Sequence, residues 1–119
     1  MINLNLNIKS IEQCIGYIVQ LSEFLDKVCD QLSTNENVEL TKTFVKDFGE
    51  QFETLIKFIH YNKFLNEKIF SDENDLKFAL ESFGDAFHSL DYDLCAEILK
   101  FEIKYILCKW KVKLEPKTL

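Results

Sequence analysis

The sequence has few of the residues that make tight turns. Only three glycines and one proline occur in 119 residues, and Pro116 lies near the C-terminus. A β-rich fold needs many such turns, so this scarcity favours long helices joined by short polar loops. Hydrophobic residues make up 47% of the chain and include eleven phenylalanines. This supply of apolar side chains is enough for a packed core and argues against intrinsic disorder.

Arginine is absent, because all fourteen basic residues are lysines, and the formal net charge is −6. Arginine is the side chain that makes bidentate contacts with phosphates and base edges. The affinity of proteins for nucleic acid comes largely from neutralising phosphates. We therefore expect no nucleic-acid partner.

Long apolar runs are also missing, since none approaches the roughly 20 residues that span a bilayer. The first residues, Met1 to Asn5, lack the basic and apolar regions of a signal peptide. We expect no membrane partner and a cytoplasmic location.

The four cysteines form no C-x-x-C pair, so neither a zinc knuckle nor a redox motif is predicted. Cys14, Cys29, Cys95 and Cys108 all fall on or beside apolar helical stripes. We expect them to be small buried hydrophobic residues in a reducing compartment.

Apolar periodicity predicts an all-α fold, a four-helix up-and-down bundle with room for an extra short helix. The bundle is expected over residues 10–113 of a single domain that spans 1–119, with a tail at 114–119. Helix 1 begins at Ser10, which has capping-box spacing to Gln13. The expected inner faces of the first three helices are Ile11, Cys14, Ile18, Leu21, Leu25, Val28 and Leu32; Phe44, Val45, Phe48, Phe52, Leu55, Ile56 and Ile59; and Leu76, Leu80, Phe83, Phe87 and Leu90.

Two boundaries depend on polar residues. Helix 2 starts within 33–37, and over 60–70 it either continues or breaks near Asn62. Asp91 is expected to cap helix 4 directly after helix 3, so these two helices should form a tight hairpin or corner.

The first residues have a different pattern. Apolar and asparagine side chains alternate from Ile2 to Ile8, which is the period of a strand. We expect an extended N-terminal arm over residues 1–9, lying on the bundle or pairing with a second chain. A frayed end with accidental alternation is the alternative.

One pattern occurs twice, 35 residues apart. Phe48-Gly49-Glu50-Gln51-Phe52 matches Phe83-Gly84-Asp85-Ala86-Phe87, and helix 1 carries Gly16 at a comparable place. A duplicated binding element is one interpretation. We favour packing, in which the glycines mark a close crossing of helices.

Helix 4 contains the acidic residues that could carry chemistry. At 100° per residue, its apolar arc contains Leu94, Ile98, Phe101, Tyr105 and Val112, flanked by Cys95, Leu99 and Ile106. Glu102 falls near the middle of this arc, whereas Glu97 lies on the opposite face. Glu102 is a structural acid, an interface residue, or a catalytic or metal-binding acid with a raised pKa.

No catalytic constellation supports the last alternative. The one approximation to the Glu-x-x-His of di-iron bundles is Asp85-x-x-His88, which should be solvated, and His60 has no acid three residues away. No glycine-rich phosphate loop occurs, and no signature pairs a cysteine with a histidine. We predict no catalytic residue, no cofactor and no metal.

The remaining feature is a surplus of apolar surface. Tyr17 and Phe24 widen the apolar arc of helix 1, and Ile103, Leu107 and Trp110 widen that of helix 4. Helices this apolar need neighbours on more than one side, and aromatic residues are the usual anchors of protein interfaces. We expect a homodimer or a stable complex with another protein.

The stretch Asp91-Tyr92-Asp93-Leu94-Cys95-Ala96-Glu97-Ile98-Leu99-Lys100-Phe101-Glu102-Ile103, followed by Trp110, resembles a pattern in small bacterial all-helical proteins of unknown function. That pattern is an acid, Ile-Leu, an aromatic and Glu, and it covers about a quarter of the chain. Tyr105 stands where the pattern has proline. The resemblance implies no activity, and marks Asp91, Glu97, Glu102 and Trp110 as positions to probe.

These features favour a non-catalytic helical interaction or adaptor protein that acts through a homodimer or a partner helix. One alternative is a secretion or flagellar-type export chaperone that holds a client helix in a groove. The other is an enzyme or ligand-binding bundle that uses a buried Glu102.

Overall fold

The computed structural model describes residues 4–34, 36–70 and 73–115, and every regular element in these ranges is helical. The elements are α1 (Leu4–Thr34), α2 (Val38–His60), α3 (Lys63–Ile69), α4 (Glu73–His88), α5 (Tyr92–Ile98), a π-helical turn (Leu99–Ile103) and α6 (Lys104–Leu114). The last three run on without a break, so the fold is a helical bundle of four long helices and one short one. This confirms the predicted all-α class, including the extra short helix.

Side-chain caps fix where three of the helices start. Asn37, Asn62 and Asp91 each accept a hydrogen bond from the backbone N–H three residues on, at 3.0, 3.1 and 3.1 Å. Each cap satisfies a donor that the first turn of a helix leaves free. The segment at 60–70 therefore breaks at Asn62 and begins α3, and Asp91 caps the last long helix as predicted.

Helix α1 is the centre of the bundle, because it packs against α2, α3, α5, α6 and the π-helical turn. Its predicted seam from Cys14 to Leu32 is buried. Burying such a stripe of aliphatic side chains stabilises the fold by about 1.5–3 kcal/mol for each. On α2 the predicted face is also confirmed, with Phe48, Phe52, Leu55 and Ile59 in the core and its other members half-buried.

The N-terminal expectation was wrong over the residues that the structure describes. Helix α1 begins at Leu4, six residues before Ser10, so residues 4–9 are helical and not an extended arm. The apolar residues there also fit a helix, since Leu4, Ile8, Ile11 and Ile15 are spaced by four, three and four. At the other end, Leu114 belongs to α6 and is buried, while residues 1–3 and 116–119 lie outside the described ranges.

The π-helical turn changes which residues of the last helix face the core. The buried residues there are Cys95, Ile98, Leu99, Ile103, Ile106, Leu107, Trp110 and Leu114. Leu94, Phe101, Tyr105 and Val112, predicted to be inward, are 41–68% exposed. A π-helix bonds to the fifth residue along the chain and so has more residues per turn. Cys95, Leu99, Ile103 and Leu107, which are four residues apart, therefore stay on one face of the helix. In a regular α-helix each four-residue step would turn the side chain about 40° further around the axis.

A tight corner joins α4 to α5. Leu90 adopts φ 61°, while its N–H donates to Phe87 O at 3.1 Å and the Asp91 N–H donates to Ala86 O at 2.9 Å. This is the left-handed residue that ends many helices, a position usually held by glycine. This confirms the expected short connection, a tight hairpin or corner, between the two helices.

The inner face of α4 differs from the prediction at two positions. Its buried residues are Leu76, Ala79 and Ala86. Leu80 is 37% exposed and Leu90 is 67% exposed, although both were expected inside. Leu80 faces an open groove between α2 and α4. No helix in the described ranges is long and apolar enough to cross a membrane.

Candidate protein-binding groove

An apolar groove of about 350 Å³ runs between α2 and α4. The α2 wall is formed by Val45, Phe48, Gly49, Phe52, Glu53 and Ile56, the α4 wall by Leu80 and Phe83, and the floor by Ile103. Glu53 is the one charged residue among them. Grooves with this apolar, aromatic lining are the sites that accept the apolar face of an amphipathic helix.

The groove exists because α2 and α4 pack on different neighbours. Helix α2 lies on α1 and α3, whereas α4 lies on α5 and the π-helical turn. The turn brings Ile103 between them, where its side chain is fully buried. Ile103 therefore closes the floor, and the two walls stay apart above it.

Two rings of the α2 wall belong to a series of aromatic contacts that reaches the last helix. Phe48 and Phe52 have ring centroids 5.8 Å apart, and Phe52 lies 6.2 Å from Trp110. The indole also meets Phe70 edge-on at 5.6 Å. Tilted and edge-to-face pairs at these distances stabilise by about 0.5–1.5 kcal/mol beyond burial. These ring contacts join the α2 wall to the last helix through Trp110.

Two of the glycines lie on the helices that flank this groove, Gly49 on α2 and Gly84 on α4. Apart from its own helix, a Cβ added at Gly16, Gly49 or Gly84 would meet none of the described residues within 4 Å. The prediction that they mark a close crossing within the chain was therefore wrong. Glycine inside a helix costs about 1 kcal/mol relative to alanine, and here no neighbour in the described part of the chain uses the space.

The edge of the groove carries an ion pair. Lys57 Nζ lies 3.0 Å from Glu53 Oε1, and both side chains are largely exposed. The hydrogen bond to Glu53 raises the pKa of Lys57. An exposed pair of this kind adds little to stability, because water screens it. Its polarity suits the rim of an interface around an apolar centre.

Two of the predicted interface residues serve the packing of α1 against α2. Phe24 is half-buried, with its ring 5.9 Å from Phe44 and 6.4 Å from Phe48. Tyr17 is 41% exposed and meets Phe58 edge-on at 5.3 Å. Neither residue lines the α2–α4 groove.

The acidic candidates are not brought together. Glu97 is exposed, as predicted from its helical face. Glu102 is half-buried and lines a separate recess of about 200 Å³ between α4 and the last helix, beside Phe78, Phe101, Tyr105 and Lys109. The two phenylalanines are each 67% exposed, and the tyrosine is 61% exposed. Within the described ranges no three Cys, His, Asp or Glu side chains are grouped as a metal site requires.

Asp91 and Trp110 belong to the framework of the bundle and do not line the groove. Asp91 is the cap of α5, and Trp110 is 5% exposed within the core. The histidines His60 and His88 are both exposed, on different helices.

Sequence reasoning therefore picked residues that shape the bundle, and it missed the groove. The one signal near it was the repeated Phe-Gly-x-x-Phe pattern, of which Phe48, Gly49 and Phe52 on α2 but only Phe83 on α4 line the groove.

The cysteines divide by environment. Cys14 and Cys95 are buried as predicted, and burial raises the pKa of each thiol to about 11. Cys29 is half-buried, its Sγ donates to Ala96 O at 3.6 Å, and burial again raises its pKa to about 11. Cys108 is exposed, which contradicts the expectation that all four are buried.

A family model matches residues 9–113. The chain belongs to the DUF8042 family. This family is described as a domain of unknown function, in agreement with a resemblance that implied no activity. No curated protein and no solved structure matches the chain.

Proposed function

We propose that this DUF8042 protein is a non-catalytic interaction protein whose α2–α4 groove binds an amphipathic helix of another polypeptide. The observation that carries the proposal is the lining of the groove, eight apolar residues or glycine and one carboxylate. An amphipathic helix presents large apolar side chains at positions i, i+3 or i+4, and i+7, and an apolar groove accommodates these side chains.

The exposure of the wall residues supports the proposal. Leu80 is 37% exposed, and Val45, Ile56 and Phe83 are half-buried. Covering their remaining surface would contribute about 25 cal/mol for each Å² removed from water. The lone carboxylate, Glu53, lies at the edge beside Lys57 and can remain solvated in a complex.

The same proposal places the protein in the cytoplasm. Its support is four free thiols in a chain of this size, one of which is exposed. Such a thiol persists in a reducing compartment and pairs readily in an oxidising one.

Site-specific photo-crosslinking in cells of the native host tests the groove. A benzophenone amino acid in place of Leu80 should give a covalent adduct with another polypeptide, identified by mass spectrometry. The matched control is the same amino acid in place of Phe78, on the same helix but on the Glu102 side and 67% exposed. Equal adducts at both positions, or none at Leu80, would count against the proposal.

A further inference from the structure

We infer that the recess between α4 and the last helix binds a small organic cation of the ammonium class, for which choline is the probe. The recess has a volume of about 200 Å³, below the roughly 300–1,000 Å³ of sites for drug-sized ligands. It shares no lining residue with the α2–α4 groove, so the site is independent of the proposed function.

Three aromatic side chains line the recess and stay largely exposed. Phe78 belongs to α4, Phe101 to the π-helical turn and Tyr105 to α6. Their exposed fractions are 67%, 67% and 61%, so much of each ring is open to a ligand. The face of an aromatic ring attracts a cation that lies within about 6 Å of its centroid. Rings around one recess favour a quaternary ammonium group, the cation that aromatic cages bind.

The recess also carries an excess of negative charge. Asp75 and Glu102 line it together with a single basic residue, Lys109. Glu102 is half-buried, and its carboxylate makes no hydrogen bond or ion pair with any residue that the structure describes. A carboxylate that has lost part of its hydration is stabilised by a cation beside it. A bound ammonium ion would supply that cation.

Lys109 already places an ammonium group in this setting. Its Nζ lies 5.2 Å from the centroid of the Tyr105 ring and 4.0 Å from Asp75 Oδ2. A second lysine, Lys100, lies 5.6 Å from the centroid of Phe101 without lining the recess. The Lys109–Asp75 pair is long and its carboxylate is largely exposed, so it adds little to stability. A ligand cation therefore displaces Lys109 at little cost.

The π-helical turn builds this arrangement. It places Phe101 and Tyr105 on the outside of the bundle, where a regular helix would have turned them inward. Ala79 and Ile106, which are both buried, line the recess from the core side. Single π-helical turns within α-helices are rare and occur frequently at functional sites.

A nuclear magnetic resonance titration of the purified chain with choline tests the site. The backbone amide signals of residues 75–79 and 101–109 should shift. The neutral analogue 3,3-dimethylbutan-1-ol, which has carbon in place of the ammonium nitrogen, should bind about ten-fold more weakly because it lacks the charge. Equal affinity for the two compounds, binding of neither, or shifts confined to other residues would overturn the inference.

Removing the internal competitor should strengthen binding. Lys109→Met should lower the choline dissociation constant about three-fold or more, because the ligand no longer displaces a charge of its own sign. Lys111→Met removes the same charge two residues further on, where the side chain pairs with Glu115, and should leave the constant within about two-fold of wild type. A Lys109→Met chain that binds choline no better than Lys111→Met contradicts the assigned position of the cation.

Removing the carboxylate or a ring should weaken binding. Glu102→Gln should raise the choline dissociation constant about five-fold or more, whereas Glu97→Gln, at an exposed acid of the same long helix, should not. Tyr105→Leu should raise it about three-fold, with Tyr61→Leu, at a tyrosine that is 84% exposed, as its control. The dispersion of the amide signals checks that each variant is folded. If each variant binds choline as its control does, these residues do not form the site.

A trimethylated lysine side chain carries the same head group on a polypeptide. Nα-acetyl-Nε-trimethyl-lysine amide is therefore titrated beside choline and should bind within about three-fold of it, since the recess holds the head group alone. A derivative that binds about ten-fold more tightly than choline would assign the recess to a modified polypeptide and overturn the small-molecule ligand.

Discussion

Phe52 and Trp110 join the α2 wall of the groove to the last helix, with ring centroids 6.2 Å apart. Phe52 faces the groove on one side and the indole on the other. The only tryptophan of the chain therefore stands directly behind the proposed binding surface, and its emission should report on the packing there.

Removing the indole should be among the most damaging single changes. Trp110→Ala takes away a side chain that is 5% exposed and meets both Phe52 and Phe70, so we expect a loss of about 3–5 kcal/mol in the free energy of unfolding. Trp110→Phe keeps an aromatic ring and should lose less. Urea unfolding followed by circular dichroism measures both, and equal losses would show that the ring contacts contribute little.

Leu90 holds a backbone conformation that favours glycine. Its φ is 61° and its side chain is 67% exposed, so little packing compensates for the strain. Leu90→Gly should raise the free energy of unfolding by about 1 kcal/mol. Leu94→Gly, inside α5, should lower it by about the same amount. A destabilised Leu90→Gly would mean that the side chain has a packing role.

Asp91 should act as a helix cap and not as an interface acid. Its carboxylate accepts the Leu94 N–H at 3.1 Å, and Asp91→Ala is expected to cost about 1 kcal/mol, while Asp91→Asn retains the acceptor and costs little. Thermal unfolding of the two variants compares them. If both lose the same amount, the negative charge and not the cap is what matters.

Glu102 should be dispensable for the fold. It is half-buried in the recess beside Tyr105 and Lys109, and Glu102→Gln keeps its shape, so we expect a change within about 0.5 kcal/mol. Chemical denaturation measures this change. A loss of several kcal/mol would support the hypothesis that Glu102 is a structural acid bound to a tyrosine or lysine.

The buried thiols predict a loss of stability in alkali. Burial raises the pKa of Cys14 and Cys95 from 9.0 to about 11. The unfolded chain then ionises first, so the stability that these thiols contribute is complete below pH 9 and is lost as the pH rises through 11. The urea midpoint should fall over this range, and the fall should be shallower in Cys14→Ala. A Cys108→Ser control, at an exposed position, should follow wild type.

The sequence by itself determined the helical class and much of the core. Three- and four-residue spacing placed Cys14 to Leu32 of α1 inside, and it also placed the main face of α2 inside, because these helices keep 100° per residue throughout. Cap chemistry located the start of the last helix at Asp91, since a side chain that bonds three residues ahead acts locally.

The tertiary structure decided what periodicity could not. One π-helical turn moved Ile103 inward and Phe101 and Tyr105 outward. A helical wheel assumes a constant angle per residue, so it cannot show where a helix contains an extra residue in one turn. The groove, too, appeared only in three dimensions. It depends on α4 packing against α5 and the π-helical turn rather than against α2, a choice between neighbours that no single helix records in its own sequence.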